Sequence, residues 1–224
     1  MFCVPIISKN TEEALEIMER VAPMADVLEI RLDLMERFDL HEIISAAPKP
    51  VIITYRSKED GGNGLADPEI HADYIFTAIK EGADFVDVES SLPIRFQERI
   101  FQTKGRSKII ISKHISDNTP PVEELEKIFE FLAGTGAHIV KIVTRAITWE
   151  DNFRVLSLIS NARKLGLEII AFCMGPMGKI SRIFSCLMGG YLTFASLEEG
   201  KESADGQIPI REMRKVVDIL SILR

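Results

Sequence analysis

Two residues of this chain could perform covalent and acid–base chemistry, and each belongs to an apolar run. Lys141 lies inside AHIVKIVT at 137–144, and His114 closes KIIISKH at 108–114. A lysine in a buried strand loses solvation, which disfavours the ammonium form and moves its pKa toward the range where the amine attacks a carbonyl. An imidazole at the tip of a neighbouring strand would supply the proton shuttle that imine chemistry needs. Further polar residues gather at the ends of other apolar runs. Glu29, Arg31 and Asp33 alternate through VLEIRLDL, with Leu28, Ile30 and Leu32 on the opposite face. Three charges in one buried strand must pair with each other or with a ligand. Arg56 follows VIITY, Glu89 ends DFVDVE, Arg182 falls in GPMGKISR, and Ser203 and Gln207 fall in SLEEGKESADGQI. Alternation counted from Lys141 puts Ile139 and Val143 on its face; counted from His114 it puts Ser112 and Ile110 there and turns Lys113 the other way.

Positioning these groups requires a repeated scaffold, and the chain repeats one phrase eight times. Apolar, β-branched runs begin near Cys3, Val27, Val51, Asp84, Lys108, Ala137, Glu168 and Tyr191, with a candidate helix in each interval. Asn10 and Glu13 have capping-box spacing ahead of Ala14, Leu15, Met18, Val21 and Ala22 on one helical face. Thr119, Pro120 and Pro121 announce a helix with Leu125, Ile128, Phe129 and Leu132 on its stripe. The last segment sets Ile210, Met213, Val216, Val217, Leu220 and Leu223 at helical spacing. Strands alternating with helices imply right-handed βαβ crossovers and a parallel sheet buried on both faces. Eight such units favour a single (β/α)8 TIM barrel spanning 1–224, whose chemistry sits at the C-terminal ends of the strands.

Bulk properties fit that expectation. In 224 residues, 46% hydrophobic, there is material for one full core and little for a second domain. A net charge of −7 without clustered Lys and Arg argues against a nucleic-acid surface and for a small-molecule partner. No apolar run has the length of a membrane span and the first residues lack a secretory pattern, so the reading is a cytoplasmic protein with no membrane partner. Cys3, Cys173 and Cys186 read as reduced packing residues. His41, His71 and His138 have no metal-ligand spacing, and the glycines near 61–64 and 175–178 match neither phosphate-binding nor dinucleotide fingerprints. The expectation is therefore no catalytic metal and no cofactor.

The order EIRLD, YRSKEDGG, SKHISDNTP, VKIVT, GKISR and ESADGQI, spread over nearly the whole chain, resembles the type I 3-dehydroquinate dehydratases, the Schiff-base enzymes of the shikimate pathway. That resemblance implies that Lys141 forms an imine with the ring ketone of 3-dehydroquinate. It implies that His114 removes the α-proton and later protonates the departing hydroxyl. Arg182 would bind the substrate carboxylate, Ser203 and Gln207 would reach ring substituents from a lid, and Glu29, Arg31 and Arg56 would hold the hydroxyls. It also implies a homodimer. Two positions depart from the family's pattern. Asp60 precedes Gly61 and Gly62 where relatives carry Glu, so the carboxylate that orients the histidine is one methylene shorter, and either the loop moves in or Glu59 takes the role. Asp205 stands before Gly206 where relatives often carry proline, an exchange expected to loosen the lid. Rival readings are a class I Schiff-base aldolase-type barrel, which would need a phosphate cradle in its last two loops, and a catalytically dead binding barrel, which would not need both Lys141 and His114.

Overall fold

The structure, a computed structural model, describes residues 1–221. Its eight strands are β1 (Phe2–Ile6), β2 (Val27–Arg31), β3 (Val51–Thr54), β4 (Phe85–Glu89), β5 (Lys108–His114), β6 (Ile139–Arg145), β7 (Glu168–Met174) and β8 (Thr193–Phe194). Every observed start falls within two residues of the start expected from the sequence. All pairings are parallel, and the sheet runs β7-β6-β5-β4-β3-β2-β1-β8. Across the remaining seam, the Tyr191 N–H donates to the Ile169 carbonyl of β7 at 2.7 Å, so the barrel closes just below β8. The helices are α1 (Thr11–Val21), α2 (Leu40–Ala46), α3 (Pro68–Lys80), α4 (Ile94–Thr103), α5 (Val122–Ala133), α6 (Glu150–Lys164), α7 (Lys179–Leu187) and α8 (Ile210–Ser221). Among the described residues, no helix is long and apolar enough to cross a membrane.

Period-two alternation divides each strand between two apolar layers. Outward residues such as Ile30, Ile53, Val86, Ile109 and Ile142 pack under the helices. Inward residues form a separate floor from Cys3, Val27, Ile52, Phe85, Ile110, Ile139 and Ile170, with Phe172, Val143 and Phe194 above it. One alternation step above that floor the inward positions turn polar: Glu29, Thr54, Asp87, Ser112 and Lys141, all buried. Strand register carries the step around the barrel, with Thr54 beside Asp87 and Ser112 beside Lys141. The interior therefore has an apolar base and a charged upper storey, open only at the C-terminal mouth.

Several local expectations change in the structure. β2 ends at Arg31, and Leu32–Leu34 form a 3₁₀ turn, so Asp33 is not on the strand face of Glu29 and Arg31. It instead swings back onto Arg31. Asn10 does cap α1 by accepting from the Glu13 N–H at 2.9 Å, but the Glu13 carboxylate reaches the Lys9 N–H at 2.8 Å, one residue short of a reciprocal box. Thr119 does not cap α5; its hydroxyl donates to the Arg145 carbonyl at 2.7 Å and ties the β5–α5 loop to the end of β6. On α8, Ile210 and Met213 are buried and Val217 packs partly against the core, whereas Val216 is exposed; Leu223 lies outside the described residues. Cys3 and Cys173 are buried thiols, as expected.

One loop needs glycine for contact rather than for flexibility. The β3–α3 loop folds back on itself, with Gly62 and Gly64 donating to the carbonyls of Ser57 and Arg56, both at 2.8 Å. A Cβ on Gly62 would lie 2.2 Å from the Arg56 carbonyl oxygen. Gly62→Ala must push the loop away, and overpacking of this kind costs about 1–3 kcal/mol. The expected outcome is a lower urea midpoint with an unchanged slope, together with impaired activity, because the loop carries Asp60.

Candidate active site

The nine residues to which the resemblance assigns roles line one cavity at the C-terminal mouth of the barrel. β2 brings Glu29 and Arg31; the end of β3 and the loop after it bring Arg56 and Asp60; β5, β6 and α7 bring His114, Lys141 and Arg182; the β8–α8 loop brings Ser203 and Gln207. Ile110, Ser112, Ile139 and Val143 face inward as alternation predicts, while Lys113 borders a groove against Phe131 and Leu132 outside the barrel.

In sequence Lys141 is a lone cation among apolar neighbours, but the fold gives it partners. Its Nζ donates to Asp87 Oδ2 at 2.8 Å and lies 3.7 Å from Glu29 Oε1, with the Phe194 ring centroid at 4.5 Å. Glu29 is further fixed by the Thr54 hydroxyl, which donates to it at 2.9 Å. Asp87 was missed in the sequence because it sits mid-strand in DFVDVES. Its signal was there: Asp87 and Glu89 alternate on the face of inward Phe85. Asp87 also accepts from Arg56 at 2.8 Å and from the Ser112 hydroxyl at 2.5 Å. Burial alone would raise its pKa, but Arg56 and Lys141 beside it hold the carboxyl far below the usual range.

Arg56 is the hub of this network. Its guanidinium reaches Asp87, Glu89 at 3.1 Å and the Ser112 hydroxyl at 3.0 Å, and Asp60 Oδ2 stands 3.8 Å away. Glu89 also accepts from the Ser57 N–H at 2.9 Å; burial nevertheless pushes its pKa up. Arg31 is held separately by a two-pronged bond to Asp33 at 2.8 and 2.6 Å, and Asp33 accepts from the backbone of Arg56 and Asn63. Arg31 thus pairs with Asp33 of the turn that follows β2 and still lines the cavity.

His114 is nearly buried, and burial followed by the Arg56 charge lowers its pKa to about 3, so the imidazole is neutral at neutral pH. Its Nδ1 lies 3.5 Å from Asp60 Oδ2, and neither atom has a hydrogen bond within the described structure. Glu59 is exposed, so of the two carboxylates Asp60 faces the ring.

Arg182 differs from the other cations. It is 1% exposed and stacks over the Phe172 ring at 4.5 Å; among the described residues its guanidinium makes one hydrogen bond, a 3.3 Å donation to the Asp205 carbonyl, with Nε unpartnered. Burial lowers its pKa to about 10, leaving it a charged group without a carboxylate contact. It reaches the cavity because α7 starts hard against β7, with Ser181 Oγ accepting from the Cys173 N–H at 2.8 Å. Asp205 has a partner that a proline would lack: its carboxylate pairs with Arg145 at 3.0 Å.

Residues 2–224 match the family described as type I 3-dehydroquinase. The chain belongs to that family. A 3-dehydroquinate dehydratase of Methanococcus maripaludis is 32% identical over 98% of this chain and the whole of the relative. The chloroplastic bifunctional 3-dehydroquinate dehydratase/shikimate dehydrogenase of Arabidopsis thaliana is 36% identical over 95% of this chain; the match spans 36% of that longer protein. The crystal structure of a Clostridium difficile type I 3-dehydroquinate dehydratase with covalently modified comenic acid superposes with a TM-score of 0.89, at 26% identity, over all of this chain and 92% of that one. Membership in the type I 3-dehydroquinase family sets the aldolase reading aside.

The histidines of this type I 3-dehydroquinase make its stability depend on pH. His71 on α3 is buried 3.9 Å from Glu89, and burial and the Arg56 charge lower its pKa to about 4, against 6.5 for an ordinary imidazole. Between these values the unfolded chain binds protons that the folded one refuses. Stability is therefore complete above pH 6.5 and is lost as pH falls toward 4, with a slope of up to about 1.4 kcal/mol per pH unit for each of His71 and His114. Urea midpoints measured from pH 7.5 to 4.5 should fall accordingly, and His71→Gln should remove one histidine's share of that slope.

Proposed function

We propose that the chain is a single-barrel 3-dehydroquinate dehydratase that eliminates water through a Lys141 imine to give 3-dehydroshikimate. The arrangement that carries this reading is one cavity shared by the amine of Lys141, a neutral His114 and Arg182, a buried cation awaiting an anion. The substrate's carboxylate supplies that anion, and a planar guanidinium can bind it through two parallel bonds. Glu29, Arg31, Arg56, Ser203 and Gln207 supply acceptors and donors for the ring hydroxyls. Lys141 Nζ condenses with the ring ketone, releasing water, and the resulting imine makes the adjacent C–H acidic. His114 takes that proton, leaving an enamine. The imidazolium returns the proton to the departing hydroxyl, so water leaves from the same face. Hydrolysis then frees the product and restores the amine. Asp87 and Glu29 hold Nζ toward the cavity before attack. The chain's own residues supply each of these steps, with no metal or organic cofactor required. The reading extends to a cytoplasmic homodimer, for which the exposed Ile147, Trp149 and Phe153 near the start of α6 offer an apolar face.

Adding 3-dehydroquinate should raise the ultraviolet absorbance of a conjugated enone. Borohydride in the presence of substrate should leave a reduced adduct on Lys141 alone. Lys141→Ala should lose turnover by orders of magnitude, and His114→Ala should still trap the adduct without turning over. Label on Lys113, or none, would overturn the imine, and normal turnover in His114→Ala would move the base elsewhere.

Asp60 is assigned as the group that orients His114, closing the 3.5 Å gap when the site fills. Its charge favours imidazolium and so raises the histidine pKa against the stronger effect of burial. The base must be neutral, and activity fails as pH drops through its pKa. Asp60→Asn should therefore lower the maximal rate and move the acidic limb of kcat/KM to lower pH, while Glu59→Gln changes little. The reverse ranking would assign the role to Glu59.

A further inference from the structure

Residues 198–207 arch over the cavity, and their attachment to the barrel is narrow. Most of their hydrogen bonds stay inside the loop: Lys201 to Glu198, Gln207 to Ala204, and the paired contacts of Ser203 with Gln207 at 2.8 and 3.0 Å. Among the described residues, each hydrogen bond or ion pair from this segment to the rest of the barrel ends on Asp205. Its carbonyl accepts from the Gly175 N–H at 3.1 Å and from Arg182 at 3.3 Å, and its carboxylate accepts from Arg145 Nη1 at 3.0 Å. The backbone beside it comes so close that a Cβ on Gly206, where φ is +80°, would sit 2.2 Å from the Gly175 carbonyl oxygen.

Arg145, the last residue of β6, also donates through Nε to the Ser116 carbonyl at 2.7 Å. Ser116 lines the cavity two residues beyond His114. One guanidinium therefore spans the loop that follows His114 and the loop that carries Ser203 and Gln207.

We propose that Arg145 and Asp205 are positioning residues whose ion pair holds the β8–α8 lid shut over the substrate. The proposal rests on the reading that Ser203 and Gln207 meet substrate. The two side chains are 34% and 51% exposed, so the pair is screened by salt and contributes little to global stability. Its influence falls on a local equilibrium with few other tethers, where a modest bias changes the closed population. Asp205→Asn removes the charge yet leaves the carbonyl that Gly175 and Arg182 use, separating the latch from the placement of Arg182.

The experiment combines steady-state kinetics with amide hydrogen exchange on the full chain. Asp205→Asn should raise KM about three- to fivefold with kcat within twofold of wild type. Arg145→Gln, which also loses the Ser116 contact, should do at least as much, and adding Asp205→Asn to it should change nothing further. The Ser203 and Gly175 amides should exchange faster in either variant. In wild type that exchange should quicken as salt rises, and in the variants it should not. Unchanged KM and exchange in both variants, additive effects in the double variant, or a fall in kcat equal to the rise in KM would overturn the latch. Should wild type produce no enone, the proposed dehydratase reading fails, and the exchange measurement alone decides the latch.

Discussion

The upper half of this barrel depends on the neutralisation of Arg56. A guanidinium 95% or more buried on its side chain cannot rely on water, and it gathers Asp87 and Glu89 from β4, Ser112 from β5 and the nearby charge of Asp60. Taking such ions out of water costs several kcal/mol each, and removing one partner of a buried pair typically costs about 3–5 kcal/mol because the other charge is left exposed to the low dielectric. The arrangement also sets the chemistry. Asp87 is shared between Arg56 and Lys141, so the cation at the centre of the polar storey also bears on where the Lys141 amine stands. The same positive charge works with burial to keep His114 neutral. The packing of the polar storey and the neutrality of His114 therefore both draw on Arg56.

This coupling explains why the polar layer sits where it does. In the parallel barrel each inward position has an inward neighbour on the next strand, so a charge on one strand must be answered one register step away. Thr54 on β3 donates to Glu29 on β2, and Ser112 on β5 donates to Asp87 on β4, and these are such answers. Below them, the floor from Cys3 to Ile170 excludes water and lowers the local dielectric, which strengthens every contact above it. The apolar floor and the ionic storey are thus one device: the first makes the second strong enough to be structural.

The alternation of strands was legible because buried parallel strands are near-continuous apolar runs, and a single charge in such a run is conspicuous. Lys141 stood out for that reason, and His114 and Arg56 because they end such runs; Arg182 drew notice by its place after the seventh run. What the sequence concealed is pairing between strands. Asp87 is three-dimensional information: its partners Lys141 and Arg56 are distant in the chain, and only the strand register shows that it is shared. Asp33 was misplaced because a strand and a 3₁₀ turn can carry the same alternating letters. Thr119 and Glu13 show the same limit in their loops, since a capping pattern names the donor or acceptor and not the one it will choose. Val216 followed helical spacing faithfully and is exposed while Val217 beside it packs, because periodicity does not say which positions of a face find a surface to pack on.

Asp205 is the instructive case, because its partner cannot be read from its chemical type. Proline before the glycine stiffens a loop by restricting its open states, an entropic effect that acts whatever the loop touches. Aspartate gives up that restriction, and the expectation of a looser lid follows if the residue is considered alone. The structure places Arg145 opposite it, so the closed state gains an attraction that the open state lacks. The two solutions bias the same equilibrium from opposite sides. They differ in what they respond to: chain entropy is indifferent to ionic strength, whereas a half-exposed ion pair weakens as the screening length shrinks from about 30 Å at 0.01 M to about 8 Å at physiological salt. A lid held by charge is therefore tuned to its solution, and its residues can be judged only as a pair.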